Sequence, residues 1–201
     1  MKKILLLGLS STLMGAAFAQ TEKSSTYLGA NVGNLSYRND GGSNELAVNV
    51  YPTAGIFLAD NLLLGTGVQV GYERLSFDNS SQKYRGYTTT LGLLPFVRYY
   101  LPGTGSHRFF GQAQGGVVWT RSQVTIDYST GENDERKAKN HNSAFGAALG
   151  YNYFLTPGAA LEITAGYQRN TNGPERTIGL LDIRAGFAVF LRGKQAAITA
   201  Q

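Results

Sequence analysis

Apolar and polar residues alternate along most of the chain. From residue 45 to residue 58, every second residue is Leu, Val, Pro, Ala or Ile, and the residues between them are mostly small or polar. Successive side chains of a β-strand point to opposite sides, so this alternation predicts a strand with one apolar face. The same division recurs in six later segments, which are residues 62–73, 87–99, 109–119, 144–153, 161–168 and 181–191.

The first predicted strand, residues 27–37, changes parity partway along. Its apolar residues are even-numbered up to Val32 and odd-numbered from Leu35 onward. A β-bulge near Gly33 and Asn34 would keep all of them on one face. Pro95 is a second irregularity, because proline lacks the N–H group that pairs with a neighbouring strand.

The connections between the predicted strands alternate in length. Three are short, at residues 60–61, 102–107 and 156–158, and four are polar and mostly longer, at residues 39–44, 78–83, 129–142 and 170–176. Residues 131–139 hold a run of charged residues, which is typical of a solvated loop. If the amino terminus starts in the periplasm, the short turns lie on that side and the long loops lie outside.

The first nineteen residues have the composition of an export signal. Lys2 and Lys3 precede an apolar run, and small residues follow it at Ala17 and Ala19. We predict a signal peptide over residues 1–19, cleaved before Gln20, then a barrel domain over residues 20–191 and a short tail over residues 192–201. Serine and threonine at residues 10–12 interrupt the apolar run, which argues against a membrane-spanning helix.

The composition indicates an all-β chain with little charge. The sequence has 26 Gly, 12 Tyr and 10 Phe. Only 15% of its residues are charged, whereas a soluble domain usually carries about 25%. It has no Cys, so no disulfide stabilises the fold. Loss of the two signal-peptide lysines lowers the formal net charge from +5 to +3, and so small an excess does not indicate a nucleic-acid partner.

The strand lengths and the absence of apolar helices favour a membrane barrel. In hydrocarbon every backbone N–H and C=O needs an internal partner, so a β protein spans a bilayer only as a closed barrel. A spanning strand needs roughly 9 to 11 residues, which the predicted strands supply. Eight strands enclose an interior just wide enough for side chains. We therefore predict an all-β fold, a closed antiparallel up-and-down transmembrane β-barrel of eight strands.

The alternation by itself does not tell which face is inside. A soluble periplasmic barrel that binds a ligand would hold its apolar face inward. Three features favour the membrane arrangement, which are the low charge within strands, the aromatic residues near strand ends and the charged segment 131–139. The soluble ligand-binding barrel remains the alternative.

Three segments resemble the small eight-stranded outer-membrane β-barrel proteins of Gram-negative bacteria. They are residues 55–67, residues 95–100 and the last strand, and the resemblance covers most of residues 26–191. In the last strand, Arg184, Gly186, Val189 and Leu191 look like the signal by which the barrel-assembly machinery recognises its clients. The resemblance implies a monomer in the outer membrane, surrounded by lipid and lipopolysaccharide, with no cofactor. It also implies a structural or surface-interaction role through the outer loops.

Five charged residues fall on the predicted inner face of the barrel. They are Glu73, Arg98, Glu162, Asp182 and Arg184. Opposite charges in a narrow lumen are expected to pair, so we predict a polar network that fills the barrel. A small gate or conductance path is the functional alternative, and a filled interior argues against a wide pore.

His141 and Ser143 are weak catalytic candidates. The tripeptide His141-Asn142-Ser143 is similar to the His-x-Ser element of outer-membrane lipid A deacylases, in which histidine acts as general base for a serine nucleophile. Both residues are predicted to face lipid near the outer interface. No acidic residue stands at a matching position in the next strand to orient the imidazole. We therefore predict a protein without enzymatic activity, and, because His107 is the only other histidine, no metal site.

Overall fold

The computed structural model describes residues 21–40, 42–79, 82–103, 105–172 and 176–193. The predicted signal peptide and residues 194–201 of the predicted tail lie outside them. Within the described residues, no helix is long and apolar enough to cross a membrane. The chain forms eight strands, β1 (Thr26–Asp40), β2 (Ser43–Ala59), β3 (Leu62–Asp78), β4 (Gln82–Tyr100), β5 (His107–Tyr128), β6 (Asn133–Thr156), β7 (Ala159–Asn172) and β8 (Arg176–Leu191).

The eight strands close into a barrel in chain order, and every neighbouring pair is antiparallel. Closure is made by β1 and β8, which pair from Thr26 opposite Leu191 to Gly33 opposite Arg184. Because β1 and β8 pair with each other, neither strand leaves an edge of unpaired N–H and C=O groups. The predicted eight-stranded up-and-down barrel is confirmed.

The apolar side of each strand faces outward. In β2, Ile56 is 48% exposed, whereas the neighbouring Phe57 is 1% exposed. In β8, Leu181 is 77% exposed, whereas Asp182 beside it is buried. Large apolar side chains on the outside of every strand, with buried charged side chains such as Arg98 and Asp182 inside, are the reverse of a soluble barrel and suit a surface covered by lipid. The soluble ligand-binding barrel with an apolar interior is therefore not the arrangement that this chain adopts.

The predicted bulge in β1 is present. Before it, Val32 lies opposite Val50, and after it Tyr37 lies opposite Leu46, with the register shifting between Gly33 and Ser36. Asn34 has a φ of 48°, in the left-handed region that an inserted residue often adopts. The shift keeps the apolar residues on the outer face on both sides of the bulge.

Two prolines lie within strands, each at a point where the pairing with one of the two neighbouring strands is interrupted. Pro95 lies opposite Thr66 of β3, but the β4–β5 pairing skips Leu94 and Pro95. Pro52 lies opposite Ala30 of β1, but the β2–β3 pairing skips Pro52 and the residue before it. Because proline has no N–H to donate, each of these residues keeps its pairing on one side only.

The predicted outer loop over residues 129–142 is wrong, as is the predicted alternation of short and long connections. All four connections at this end have four residues or fewer, namely 41–42, 79–81, 129–132 and 173–175. The strand β6 begins at Asn133, and the last pair of the β5–β6 hairpin joins Asp127 and Asn133. The charged run at residues 131–139 therefore lies mostly in a strand. Pairing with β5 satisfies the backbone N–H and C=O groups there. Charged side chains are tolerated because this part of the hairpin lies beyond the belt of outward apolar side chains, which we call the apolar band. At 22 and 24 residues, β5 and β6 are about twice as long as a bilayer requires.

The end of the barrel with the β2–β3, β4–β5 and β6–β7 turns is filled by apolar side chains. Ten buried residues form one cluster there, namely Tyr27, Phe57, Leu63, Phe96, Tyr100, Phe110, Phe154, Ala160, Ala188 and Phe190. The chain before β1 packs against the β2–β3 turn, where Thr21 Oγ1 donates to Asn61 Oδ1 at 2.7 Å and the Lys23 N–H donates to Asp60 Oδ1 at 2.9 Å. We refer to the ten-residue cluster as the aromatic plug.

Candidate functional site

A buried ion pair crosses the barrel lumen above the aromatic plug. Arg98 projects inward from β4 and Glu162 from β7, and Arg98 Nη1 lies 2.7 Å from Glu162 Oε2. Arg98 Nη2 donates a second hydrogen bond to Oε1 at 3.2 Å. The two side chains are 3% and 0% exposed. A two-pronged contact of this kind fixes both side chains in one geometry.

Three further side chains donate to the Glu162 carboxylate. The Tyr27 hydroxyl lies 3.0 Å from Oε2, Asn31 Nδ2 lies 3.0 Å from Oε1, and Asn152 Nδ2 lies 3.2 Å from Oε2. These donors come from β1 and β6, so four strands meet at one carboxylate. Such saturation is what a buried charge requires, because a carboxylate removed from water is stable only when it is paired and hydrogen-bonded.

Arg98 is enclosed on its other sides by polar and aromatic groups. Its Nε donates to Gln112 Oε1 at 2.9 Å and its Nη1 to the Tyr100 hydroxyl at 3.0 Å. The guanidinium carbon lies 3.9 Å from the centre of the Phe110 ring and 4.8 Å from that of Tyr27. Cation–π contacts at these distances stabilise a desolvated guanidinium. The pair and its surroundings together block the lumen at this level.

A second ion pair lies nearer the open end of the lumen. Asp182 and Arg184 point inward from β8 and are joined by a short hydrogen bond from Arg184 Nε to Asp182 Oδ2. The Arg184 guanidinium lies 3.7 Å from the centre of the Tyr51 ring on β2. The two ion pairs are separate, and each has its own aromatic partner.

A chain of amide side chains lines the lumen beside the second pair. Gln112 donates to Gln114 at 3.0 Å, Gln114 to Gln168 at 3.0 Å and Gln168 to Asn170 at 2.9 Å. A cavity of about 10 Å³ lies between these amides and the Asp182–Arg184 pair. This volume holds about one water molecule, so side chains leave little free space at this level of the lumen.

Glu73 does not join either ion pair. It has the inner parity, opposite Ala47 and Thr88, but it is exposed near the outer end of β3. No ion pair links it to another described residue. The five charged residues singled out from the sequence therefore form two separate pairs and one solvated carboxylate.

The residues that complete the site were not singled out from the sequence. Tyr27, Asn31 and Asn152 donate to Glu162 although they stand 135, 131 and 10 residues away from it in the chain. Their inner parity placed each of them in the lumen, and a buried polar residue in a lumen needs a partner. The sequence therefore showed that these polar residues need partners in the lumen, but it did not show the pairing register of the strands, which determines the partner of each.

His141 and Ser143 both lie on the outer surface of β6 and are exposed. His141 lies opposite Trp119 and Ser143 opposite Val117, both on β5. In the described part of the chain, neither side chain has a hydrogen bond to the other or to a carboxylate. The arrangement lacks the orienting contacts that a serine nucleophile and its base require. Among the described residues, no group of three His, Asp or Glu side chains could hold a metal ion.

The four residues of the suggested assembly signal lie on β8, next to the seam with β1. Arg184 and Gly186 point into the lumen, whereas Val189 and Leu191 point outward and are exposed. A Cβ atom on Gly186 would lie 2.0 Å from the carbonyl oxygen of Ala30 on β1. Close approach of the two backbones at the closing seam therefore requires glycine at this position.

Solved structures of several membrane barrels are similar to this chain. A major outer membrane protein of Thermus thermophilus is 14% identical, with a TM-score of 0.48, and the match covers 84% of this chain and all of the other. The outer membrane protein OprG of Pseudomonas aeruginosa is 14% identical, with a TM-score of 0.44, over 87% of this chain and 99% of that one.

The attachment invasion locus protein Ail of Yersinia pestis, solved with the heparin analogue sucrose octasulfate, is also 14% identical. Its TM-score is 0.47, over 83% of this chain and 99% of that one. No curated protein sequence matches the chain significantly. The model of one family, described as the outer membrane protein beta-barrel domain, matches residues 4–187. The chain therefore belongs to the outer membrane protein beta-barrel domain family, and it is a protein of the outer membrane.

Proposed function

We propose that this barrel has a structural and surface-interaction role, and that it is neither an enzyme nor a wide pore. The observation that supports this proposal best is the Arg98–Glu162 pair above the aromatic plug, because it occupies the cross-section of the lumen. An eight-stranded barrel has room for side chains but not for an aqueous channel beside them.

The surface part of the role is assigned to the strands that extend beyond the membrane. The β5–β6 hairpin continues past the apolar band and carries paired charges, with Arg136 on Asp134 at 2.8 Å and Lys137 on Glu135 at 2.8 Å. A paired ladder holds these side chains in a fixed array, which an irregular loop would not do. Such an array suits contact with another surface.

An outer-membrane location supports three partners. Lipid and lipopolysaccharide surround the outward face, and the barrel-assembly machinery inserts the chain, with Arg184, Gly186, Val189 and Leu191 as the segment it recognises. The barrel is expected to work as a monomer, because the outward face carries apolar residues all round its circumference, as lipid contact requires. No cofactor is assigned.

Conductance across a planar lipid bilayer tests the closed lumen. We expect purified protein to give no persistent open channel, and a variant that truncates the plug (Phe57→Ala, Tyr100→Ala and Phe190→Ala together) to give larger and more frequent openings. A stable channel of porin size in the unmodified protein would contradict the proposal. An unchanged trace in the truncated variant would show that the plug is not the seal.

The direction of insertion is testable because the chain has no Cys. A cysteine in place of Ser129, in the β5–β6 turn, should react with a membrane-impermeant maleimide on intact cells. A cysteine in place of Pro157, in the β6–β7 turn, should react only after the outer membrane is permeabilised. The reverse pattern would place the long hairpin in the periplasm and contradict a surface role.

The role of the hairpin itself requires a shortened variant. Residues 124–136 can be replaced by an Asn-Gly turn, because Gln123 and Lys137 lie opposite each other in the ladder. Closed membrane barrels often resist unfolding in detergent until they are heated, so boiling changes their electrophoretic mobility. We expect the shortened protein to fold and to show this heat-dependent shift as the unmodified protein does. Contacts of intact cells with neighbouring cells or coated surfaces should weaken. Unchanged cell attachment would remove the hairpin from the proposed role.

A further inference from the structure

A row of side chains crosses four strands on the outer surface at the upper edge of the apolar band. Tyr72 lies opposite Thr89, Thr89 opposite Arg121, and Arg121 opposite Lys139. Directly below, toward the aromatic plug, the next row consists of Val70, Leu91, Trp119 and His141. The surface therefore changes from mostly apolar to polar and basic over one step of the ladder.

The height of this row places it at the outer interface of the membrane. Along β4, Tyr99 and Thr89 are ten residues apart, which is roughly 33 Å along a strand. A strand tilted by about 40° rises roughly 25 Å over that length, and the apolar band of a membrane barrel is about 25 Å tall. With Tyr99 at the lower interface, Thr89 lies at the level of the outer headgroups. A row across tilted strands rises from β3 to β6, so Arg121 and Lys139 lie at that level or slightly beyond it.

Arg121 and Lys139 are like charges that stand directly opposite each other. Like charges in this position destabilise a ladder unless something compensates them. Three nearby basic residues pair with carboxylates, since Lys83 is 3.2 Å from Asp78, Arg85 is 2.5 Å from Asp127 and Lys137 is 2.8 Å from Glu135. The guanidinium carbon of Arg74 instead lies 5.6 Å from the centre of the Tyr87 ring. Neither Arg121 nor Lys139 forms an ion pair with a described carboxylate.

A groove opens on the outer surface beside these two cations. Its volume is about 550 Å³, and Val70, Leu91 and Trp119 line its apolar part, while Arg121 and Lys139 line its basic end. The small side chain of Thr89 leaves space between Tyr72 and Trp119, which flank it. The groove thus has an apolar floor toward the membrane centre and two uncompensated positive charges at the headgroup level.

We propose that this groove binds a phosphorylated, acylated glycolipid of the outer leaflet. A phosphate lies between Arg121 and Lys139 and replaces the missing carboxylate, and an acyl chain runs down over Leu91 and Trp119. The Arg121 guanidinium donates to phosphate oxygens in a two-pronged contact, and Lys139 contributes a point charge. This inference rests on the proposed orientation, in which the β5–β6 turn lies outside the cell.

The fluorescence of Trp119 reports binding in the groove, because Trp119 is the only tryptophan in the chain. The folded, full-length mature protein in detergent micelles is titrated with doubly phosphorylated lipid A that carries a brominated acyl chain, which quenches nearby tryptophan. We expect saturable quenching, and an apparent affinity about tenfold or more weaker in the R121Q/K139Q double variant, since two charge-assisted contacts are lost. Arg169→Gln on β7 removes one outward charge from another wall of the barrel and should leave the affinity unchanged.

Two comparisons identify the ligand chemistry. Lipid A without phosphates should bind about tenfold or more weakly than the phosphorylated form to the unmodified protein. Inorganic phosphate at matched concentration should not displace the lipid, because it lacks the acyl chain that contacts Trp119. Displacement by phosphate alone would mean a simple anion site and would overturn the proposal. Equal affinity of the double variant and the unmodified protein would also overturn it.

Failure of the site is distinguishable from failure of the proposed function. Every variant is first checked for its heat-dependent electrophoretic shift, and the insertion direction is measured by the cysteine labelling described above. If the β5–β6 turn is labelled from outside and quenching is absent, the lipid site is wrong and the surface role stands. If the turn is labelled only from the periplasm, the groove faces the other leaflet and the site fails together with the orientation.

Discussion

The guanidinium of Arg98 and the carboxylate of Glu162 meet across the barrel at 2.7 Å, although 64 residues separate them in the chain. Each is buried, and each makes further hydrogen bonds to side chains on other strands. The pair thereby connects strands on different sides of the lumen. The stability of the barrel therefore depends on the presence of both charged residues.

Loss of one member of this pair should destabilise the barrel strongly. Glu162→Gln leaves the Arg98 charge buried without its partner, which costs about 3–5 kcal/mol in comparable cases. The measurement is the free energy of unfolding by urea in lipid vesicles, with the folded fraction quantified by the heat-dependent electrophoretic shift. Glu73→Gln is the matched control, because that carboxylate is exposed, and it should change the free energy by less than about 0.5 kcal/mol.

A double substitution tests whether the charge or the shape matters. Arg98→Met combined with Glu162→Leu removes both charges and keeps apolar volume in the lumen, so it should be more stable than Glu162→Gln alone. If the double variant were the less stable of the two, the destabilisation by Glu162→Gln would come from lost hydrogen bonds of the carboxylate, not from an unpaired charge.

The bulge in β1 should depend on the residue at position 34. Asn34 has a φ of 48°, and a β-branched residue there carries a steric cost of about 1–2 kcal/mol. We expect Asn34→Val to lower the free energy of unfolding by that amount and Asn34→Gly to leave it nearly unchanged, both measured by urea unfolding. Equal stability of the two variants would mean that the register shift does not need the left-handed conformation.

The proposed assembly signal should affect insertion in cells more than intrinsic folding. Val189→Ser with Leu191→Ser should reduce the heat-shifted fraction in outer membranes several-fold, while refolding of the purified variant into vesicles, which needs no machinery, changes little. Leu161→Ser with Ile163→Ser is the control, because these two residues of β7 are also apolar and face lipid. An equal loss in both double variants would show that lipid contact alone accounts for the effect.

Ser143→Ala should leave the acylation of lipid A unchanged. The side chain of Ser143 has no hydrogen bond to His141, and among the described residues no carboxylate orients the imidazole. The measurement is the mass spectrum of lipid A from cells that produce the protein, the S143A variant, or neither. An acyl chain missing only in cells with the unmodified protein would contradict the non-enzymatic proposal.

The sequence determined the number of strands, the two faces of each and the turns at residues 60–61 and 157–158. These features are local, because alternation with a period of two assigns the two faces of a strand without knowledge of its neighbours. The bulge near Asn34 was predicted for the same reason, since a single change of parity within β1 requires an extra residue. The outer ends of β5 and β6 were not predicted, because polar strands outside a bilayer carry no apolar alternation and are similar to loops in composition.

Only the tertiary structure decided which inner residues meet. Parity placed Glu162, Asn31 and Asn152 in the lumen, but the contact of Arg98 with Glu162 depends on how far each strand is shifted against the next around a closed ring. For β4 and β7 that shift accumulates over the three ladders between them, and closure of the ring turns their inner faces toward each other, so no single segment of the chain contains it. The opposition of Arg121 and Lys139, with the groove below them, follows from the register of the β5–β6 ladder for the same reason.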